Sequence, residues 1–149
     1  QIQTPILVLD DISDPGNLGT LLRSASWYGI NNVLVSSKSV DIYNPKVVRS
    51  AMGAHFHITN LHQLSAEKIR SILNYKSINI IAATLNGSSH KNFDPSNNWA
   101  LILGNEAHGV TESMLSISNE QVSIPKLGNM ESLNVGVAGS VLIDRFSTK

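Results

Sequence analysis

Five short, almost wholly apolar runs separated by segments of helical length leave this chain few folds to choose from. Ile6-Leu7-Val8-Leu9 is bounded by Pro5 and by Asp10-Asp11. A strand that is apolar at every position is buried on both faces, which is the habit of parallel sheets covered by helices. Val33–Val35, Ile78–Ile81 and Leu101–Leu103 repeat the character, and Val122–Ile124 repeats it more weakly before Pro125. Between these runs lie helix-length segments, among them Leu18–Tyr28, Ala66–Asn74 and Leu133–Phe146. The alternation predicts an α/β fold with a mostly parallel sheet flanked by helices. Gly87-Ser88-Ser89 and Pro95-Ser96-Asn97-Asn98 read as a polar loop rather than a domain boundary. With 149 residues and no internal repeat, residues 1–149 are expected to form one domain.

Composition narrows the setting. The chain is 42% hydrophobic and 15% charged, which excludes a disordered tail or a fibre. No stretch is apolar enough to span a bilayer and no signal peptide is visible, so no membrane partner is expected. The absence of cysteine excludes disulfides and thiolate metal sites and suits a reducing, cytoplasmic location. The chain opens on Gln1 rather than Met and is expected to be a piece of a longer protein. Eleven Lys and Arg balance eleven Asp and Glu, whereas nucleic-acid binders usually carry a basic excess. An RNA partner would therefore need a local basic patch, a further segment or a second subunit.

In α/β sheets ligands bind beyond the carboxyl ends of the strands, so the loops there carry the candidates. The first runs from Asp10 to Gly19, with Pro15-Gly16 as a turn and Asn17 as the expected helix N-cap. Leu18, Leu21, Leu22 and Ala25 define the buried stripe of the helix that follows, which turns Arg23 outward. Arg23 is read as lying near the positive end of the helix dipole, where a cation gains nothing unless an anion such as a phosphate meets it. A solvated surface arginine is the plain alternative. Asp10, Asp11 and Asp14 raise a metal site or an aspartyl phosphatase, but that pattern requires Asp-x-Asp and position 12 is Ile; no metal is expected.

The second loop, Leu103-Gly104-Asn105-Glu106-Ala107-His108-Gly109, sets glycines around Glu106, allowing close approach of a ligand to backbone amides. Taken alone it is also an ordinary strand–helix joint, and His108 reads as a loop residue rather than a catalyst. His55 and His57 bracket Phe56 and are expected at a strand end rather than in a metal site. The third loop runs from Ile124 to Val135, with Ser132 as the expected N-cap and Asn134 in the first helical turn. The helix after it is apolar nearly all round, with Gly136 and Ser140 leaving a groove for another backbone, which points to a subunit interface or to burial under the chain's own sheet.

Taken in order and spacing, the three loops resemble the SpoU (TrmH-like) family of ribose 2′-O-methyltransferases, within the SPOUT superfamily. The family pattern N-x-G-x-x-x-R is met by Asn17, Gly19 and Arg23, and G-N-E-x-x-G by Gly104, Asn105, Glu106 and Gly109. The third pattern, I-P followed by S-L-N-V-S-V-A, is met by Ile124, Pro125, Ser132, Leu133, Asn134, Val135, Val137 and Ala138. Lys126 stands where Met is usual, and Gly136 where the second Ser is usual. The resemblance spans essentially the whole chain.

What it implies is specific. The fold would carry a C-terminal trefoil knot, the SPOUT α/β knot, which periodicity alone does not suggest. The cofactor would be S-adenosyl-L-methionine, contacted at Thr84, Gly104, Asn105, Ile124, Pro125, Met130 and Leu133. Catalysis would rest on Arg23, Asn17, Glu106, Ser132 and Asn134, on a ribosomal or transfer RNA substrate, in a homodimer. A guanidinium stays protonated in proteins, so Arg23 suits a clamp on phosphate or the 2′-oxygen better than a base. Two rivals differ in class: a non-catalytic RNA-binding module keeping the fold, and a Rossmann-type nucleotide domain, for which no G-x-G-x-x-G follows the first strand.

Overall fold

A computed structural model describes residues 3–74, 77–94 and 98–148. Its centre is a six-stranded sheet, all parallel, in the order β3-β2-β1-β5-β4-β6. The strands are β1 (Ile6–Leu9), β2 (Asn32–Ser36), β3 (Asn60–Leu64), β4 (Asn79–Ser89), β5 (Trp99–Leu103) and β6 (Glu120–Ser123). The helices are α1 (Pro15–Trp27), α2 (Pro45–Ala51), α3 (Ala66–Asn74), α4 (Glu112–Leu115) and α5 (Val135–Ser147).

Alternation along each strand explains the continuous apolar runs. In β1, Leu7 and Leu9 face one layer with Leu18, Leu21 and Leu22 of α1 and Leu142 and Ile143 of α5. Ile6 and Val8 face the opposite layer with Ile69 and Leu73 of α3 and Met114 of α4. All four β1 residues and all five of β5 are buried, so the side-chain period of two is masked by burial on both sides. The expected α/β class with a parallel sheet is the observed one.

Several local expectations need correction. β4 runs to Ser89, so Gly87-Ser88-Ser89 belong to a strand and not to a loop. The strand bulges: both Ala83 and Ser88 pair with Val122 of β6, and the four residues between them stand out of the ladder. Gly87 is needed there, because a Cβ would stand 2.6 Å from the backbone N and C of Val122. Of the expected loop Pro95–Asn98, residues 95–97 lie outside the described residues. His55 falls in a 3₁₀ turn (Ala54–Phe56) with His57 just after it, rather than at a strand end. Neither β3 nor α2 is marked by an apolar run or stripe in the sequence.

The helix ends also shift. Asp14, not Asn17, caps α1: its carboxylate accepts the Asn17 amide at 2.8 Å, and Pro15 takes the first helical position, where its missing N–H costs nothing. Asn134, not Ser132, caps α5 by accepting the Val137 amide at 3.2 Å. Arg23 is therefore the ninth of thirteen residues in α1, too far along for the dipole argument made from the sequence. The Gly136/Ser140 groove is filled from within the chain. Ser140 Oγ lies 2.7 Å from Ser24 Oγ of α1, and a Cβ on Gly136 would stand 3.3 Å from Thr20 Cγ2.

Candidate active site

The chain reverses its direction of travel across the sheet between β1 and β5, so their carboxyl ends flank the crevice where α/β sheets take ligands. The loops after these strands are fastened together. The Asp10 amide donates to the Leu103 carbonyl at 2.8 Å, and the buried Asp10 carboxylate accepts the Thr111 amide at 2.8 Å. Asp11 adopts φ 57, its carboxylate pairs with His108 Nε2 at 3.0 Å, and its carbonyl accepts from Asn105 Nδ2 at 2.8 Å. Asp10, Asp11 and Asp14 thus each have a partner within the chain. Among the described residues no group of three His, Cys, Asp or Glu is placed to hold a metal.

The loop after β5 is a closed turn. Asn105 and Gly109 exchange backbone hydrogen bonds of 3.0 and 2.8 Å, and Asn105 Oδ1 accepts the Ala107 amide at 2.8 Å. The amides of Asn105, Ala107 and Gly109 are therefore spent inside the turn rather than left for a ligand. Gly104 is buried with no room for a Cβ beside the backbone of Gly109 and Val110. Glu106 is exposed and makes no hydrogen bond among the described residues.

The first and third loops meet directly. Asn134 Nδ2 donates to Asn17 Oδ1 at 2.9 Å, while Asn134 Oδ1 holds the start of α5. A Cβ on Gly136 would approach Asn17 Oδ1 to 3.4 Å, so the small residue where the family pattern has Ser keeps these helix starts close. Gly139 faces Leu21 of α1 and Leu103 at the end of β5, bringing all three motif-bearing segments within one layer. Arg23 is exposed on α1 and forms no ion pair among the described residues. Ser132 is exposed and makes no hydrogen bond among the described residues.

Besides Gly104 and Asn105 in the turn after β5, the residues expected to hold a cofactor divide into two groups. Thr84 lies in the β4 bulge, its Oγ1 buried without a partner. A buried hydroxyl left unpaired is costly, and a ligand atom would satisfy it. Ile124, Pro125, Met130 and Leu133 lie on the segment between β6 and α5. No backbone amide from Ile124 to Leu133 donates to a partner among the described residues. Met130 and Leu133 are 78% and 53% exposed, so this segment offers free amides and uncovered apolar side chains together. Sequence reasoning missed Asp10 as the anchor of the Thr111 amide, although a carboxylate directly after a strand was the available signal.

The family model of the SpoU rRNA Methylase family matches residues 4–144. A Bacillus subtilis 23S rRNA (guanosine(2553)-2′-O)-methyltransferase, RlmP, is 34% identical over 139 residues, covering 93% of this chain and 56% of that protein. The SpoU methyltransferase AviRb of Streptomyces viridochromogenes, solved with AdoMet, superposes with a TM-score of 0.89 at 25% identity, covering 97% of this chain and 60% of that one. An AdoMet-bound rRNA methyltransferase from Sinorhizobium meliloti gives 0.88 at 25% identity, with the same coverage of 97% and 60%. The chain spans about half the length of the curated relatives it matches. On the match over residues 4–144, with all three motif-bearing loops gathered at one end of the sheet, this chain belongs to the SpoU rRNA methylase family.

Proposed function

We propose that residues 1–149 form the catalytic domain of an S-adenosyl-L-methionine-dependent methyltransferase that modifies a ribose 2′-hydroxyl in ribosomal or transfer RNA. The observation that carries the reading is the Asn134–Asn17 hydrogen bond of 2.9 Å, which joins two family motifs 117 residues apart. The residues fit the cofactor: the orphaned Thr84 Oγ1 and the free amides of 124–133 offer polar partners, and Met130 and Leu133 offer apolar cover.

When bound, S-adenosyl-L-methionine supplies an electrophilic methyl group. The chain must then bind it beside the RNA, align the ribose oxygen and ease loss of the hydroxyl proton. Thr84, Gly104, Asn105, Ile124 and Pro125 would contact the cofactor, and the hydrogen bond from Asn105 to the Asp11 carbonyl braces the loop after β5 against the loop after β1. Arg23, a cation with no carboxylate partner among the described residues, clamps the adjacent phosphate or the 2′-oxygen and so lowers the hydroxyl's pKa. Asn17 and Asn134 hold the starts of α1 and α5 in register. Glu106 and Ser132, exposed and without hydrogen bonds among the described residues, would orient the ribose.

Three finer features belong to the same proposal. The chain leaves β6 at the sheet edge and returns to α1 beside the central strands, the path a knotted C-terminus needs. Trp27 is 83%, Val137 52% and Val141 39% exposed, and apolar side chains left uncovered on the two packed helices α1 and α5 suit a homodimer. A cytoplasmic location accords with the lack of cysteine. Among the described residues no helix is long and apolar enough to cross a membrane.

The test is titration with S-adenosyl-L-methionine by calorimetry, followed by transfer of labelled methyl to ribosomal and transfer RNA. Binding with transfer supports the reading. Retained RNA binding with neither would instead make the chain a non-catalytic module. In Arg23→Ala, turnover should fall at least about 100-fold with cofactor affinity nearly unchanged. Near-normal turnover would remove Arg23 from the mechanism.

A further inference from the structure

The stretch from Tyr43 through α2 to the 3₁₀ turn presents an unusual surface. Tyr43, Met52 and Phe56 are 68%, 71% and 88% exposed, within fourteen residues of one another. Single exposed apolar residues are ordinary, but three this prominent on one short segment are not. They are held outward, because the residues that alternate with them are buried: Ile42, Val47, Ala51 and Ala54 all lie in the core. Met52 takes a left-handed conformation, φ 50, followed by Gly53 at φ 88, and this reversal carries the chain from α2 into the turn that presents Phe56. Tyr43 leans on His55 with ring centroids 5.8 Å apart, and Phe56 is the next residue.

Two cations share the segment. Lys46 and Arg49 are exposed, and neither has a carboxylate within ion-pair distance among the described residues. The carboxylate nearest in sequence, Asp41, is turned back onto the Tyr43 amide at 2.6 Å. Uncompensated positive charge beside flat, exposed rings is what an unpaired polynucleotide needs: cations for phosphates and π faces for bases. The charge neutrality of the whole chain makes this local excess the more telling.

The surface also sits beside the candidate active site. Gly19 of α1 is pressed against Ser50 of α2, whose Oγ donates to the Lys46 carbonyl at 2.8 Å and lies 3.2 Å from the Pro15 carbonyl. Arg23 lies four residues beyond Gly19, hence on nearly the same side of α1 one turn on. A strand whose ribose meets Arg23 can therefore continue across α2.

We propose that Tyr43, Lys46, Arg49, Met52 and Phe56 form a docking surface for a single-stranded segment of the RNA substrate flanking the target ribose. Phe56 and Tyr43 stack unpaired bases while Lys46 and Arg49 contact phosphates. This rests on the reading of the chain as an RNA methyltransferase.

The test uses the full chain with a mixed-sequence single-stranded RNA oligonucleotide and a blunt RNA duplex of equal length, titrated across a range of salt. Wild type is expected to prefer the single strand. Phe56→Ala with Tyr43→Ala should weaken single-strand binding about tenfold or more without altering the salt slope. Lys46→Ala with Arg49→Ala should reduce the slope of log affinity against log salt by about 1.4, from two phosphate contacts at about 0.7 each. Thermal unfolding and sedimentation of each variant, run alongside, should match wild type. Unchanged RNA affinity in folded variants would overturn the surface while leaving methyl transfer by wild type to stand. A change of oligomeric state in the Phe56 variant with RNA affinity intact would assign the patch to subunit contact and overturn it too. Wild type that neither binds RNA nor transfers methyl would remove both readings.

Discussion

Replacing Asn134 and Asn17 with alanine, singly and together, probes whether the first and third motifs touch. Asn134 does two jobs: Oδ1 caps α5 and Nδ2 donates to Asn17. Losing the cap costs about 1 kcal/mol, and losing the bond between the loops about 1 kcal/mol more. Asn134→Ala should therefore lower stability by about 2 kcal/mol. Asn17→Ala loses the same bond, but alanine is the better helix former by about 0.5 kcal/mol, leaving a net cost near ~0.5 kcal/mol. The double variant loses cap and bond once each and keeps the propensity gain, for a cost of about 1.5 kcal/mol. It should thus be more stable than Asn134→Ala alone, with a coupling of about 1 kcal/mol. Urea unfolding followed by circular dichroism measures all four species. In thermal melts the three losses correspond to about 6, 1.5 and 4.5 °C for Asn134→Ala, Asn17→Ala and the double variant. Losses that simply add, within about 0.5 kcal/mol, would show that these side chains do not meet.

Further expectations follow from neighbouring geometry. Gly87→Ala forces a methyl against the Val122 backbone, which cannot rotate aside, and should destabilise by about 3 kcal/mol in urea unfolding; a loss under about 0.5 kcal/mol would contradict the β4–β6 pairing. The hydrogen bond from Tyr28 to Asp144, 2.7 Å long, holds the phenol above its ordinary value of 10.0. A raised folded-state value means that this contribution is complete below about pH 10 and is lost as pH rises through the raised value. Tyr28→Phe should remove that alkaline step from stability measured against pH, and a profile identical to wild type would show the bond to be unimportant.

What could be read from the residues follows burial. β1 and β5 are covered on both faces and announce themselves as unbroken apolar runs, and α3 was delimited residue for residue from Ala66 to Asn74. β3 is an edge strand, Asn-Leu-His-Gln-Leu, with no residue fully buried, so no period emerges. α2 buries only Val47 and Ala51 in seven residues, too few to trace a stripe. The caps slipped by two or three residues because Asp14 and Asn17, like Ser132 and Asn134, are equally able to cap; tertiary placement and Pro15 decide between them. The Gly136/Ser140 groove does admit a close neighbour, but that neighbour is α1 of the same chain, a long-range choice that local pattern cannot express. The site motifs were visible as residues, whereas their meeting through Asn17 and Asn134 required the fold.

The most direct measurement is a map of 2′-O-methyl groups across ribosomal and transfer RNA from cells lacking the protein, complemented with wild type or with Arg23→Ala. A methyl group missing from a defined ribose, restored by wild type and not by the variant, is the expected result. An unchanged map, or full restoration by Arg23→Ala, would contradict a ribose methyl transfer centred on that arginine.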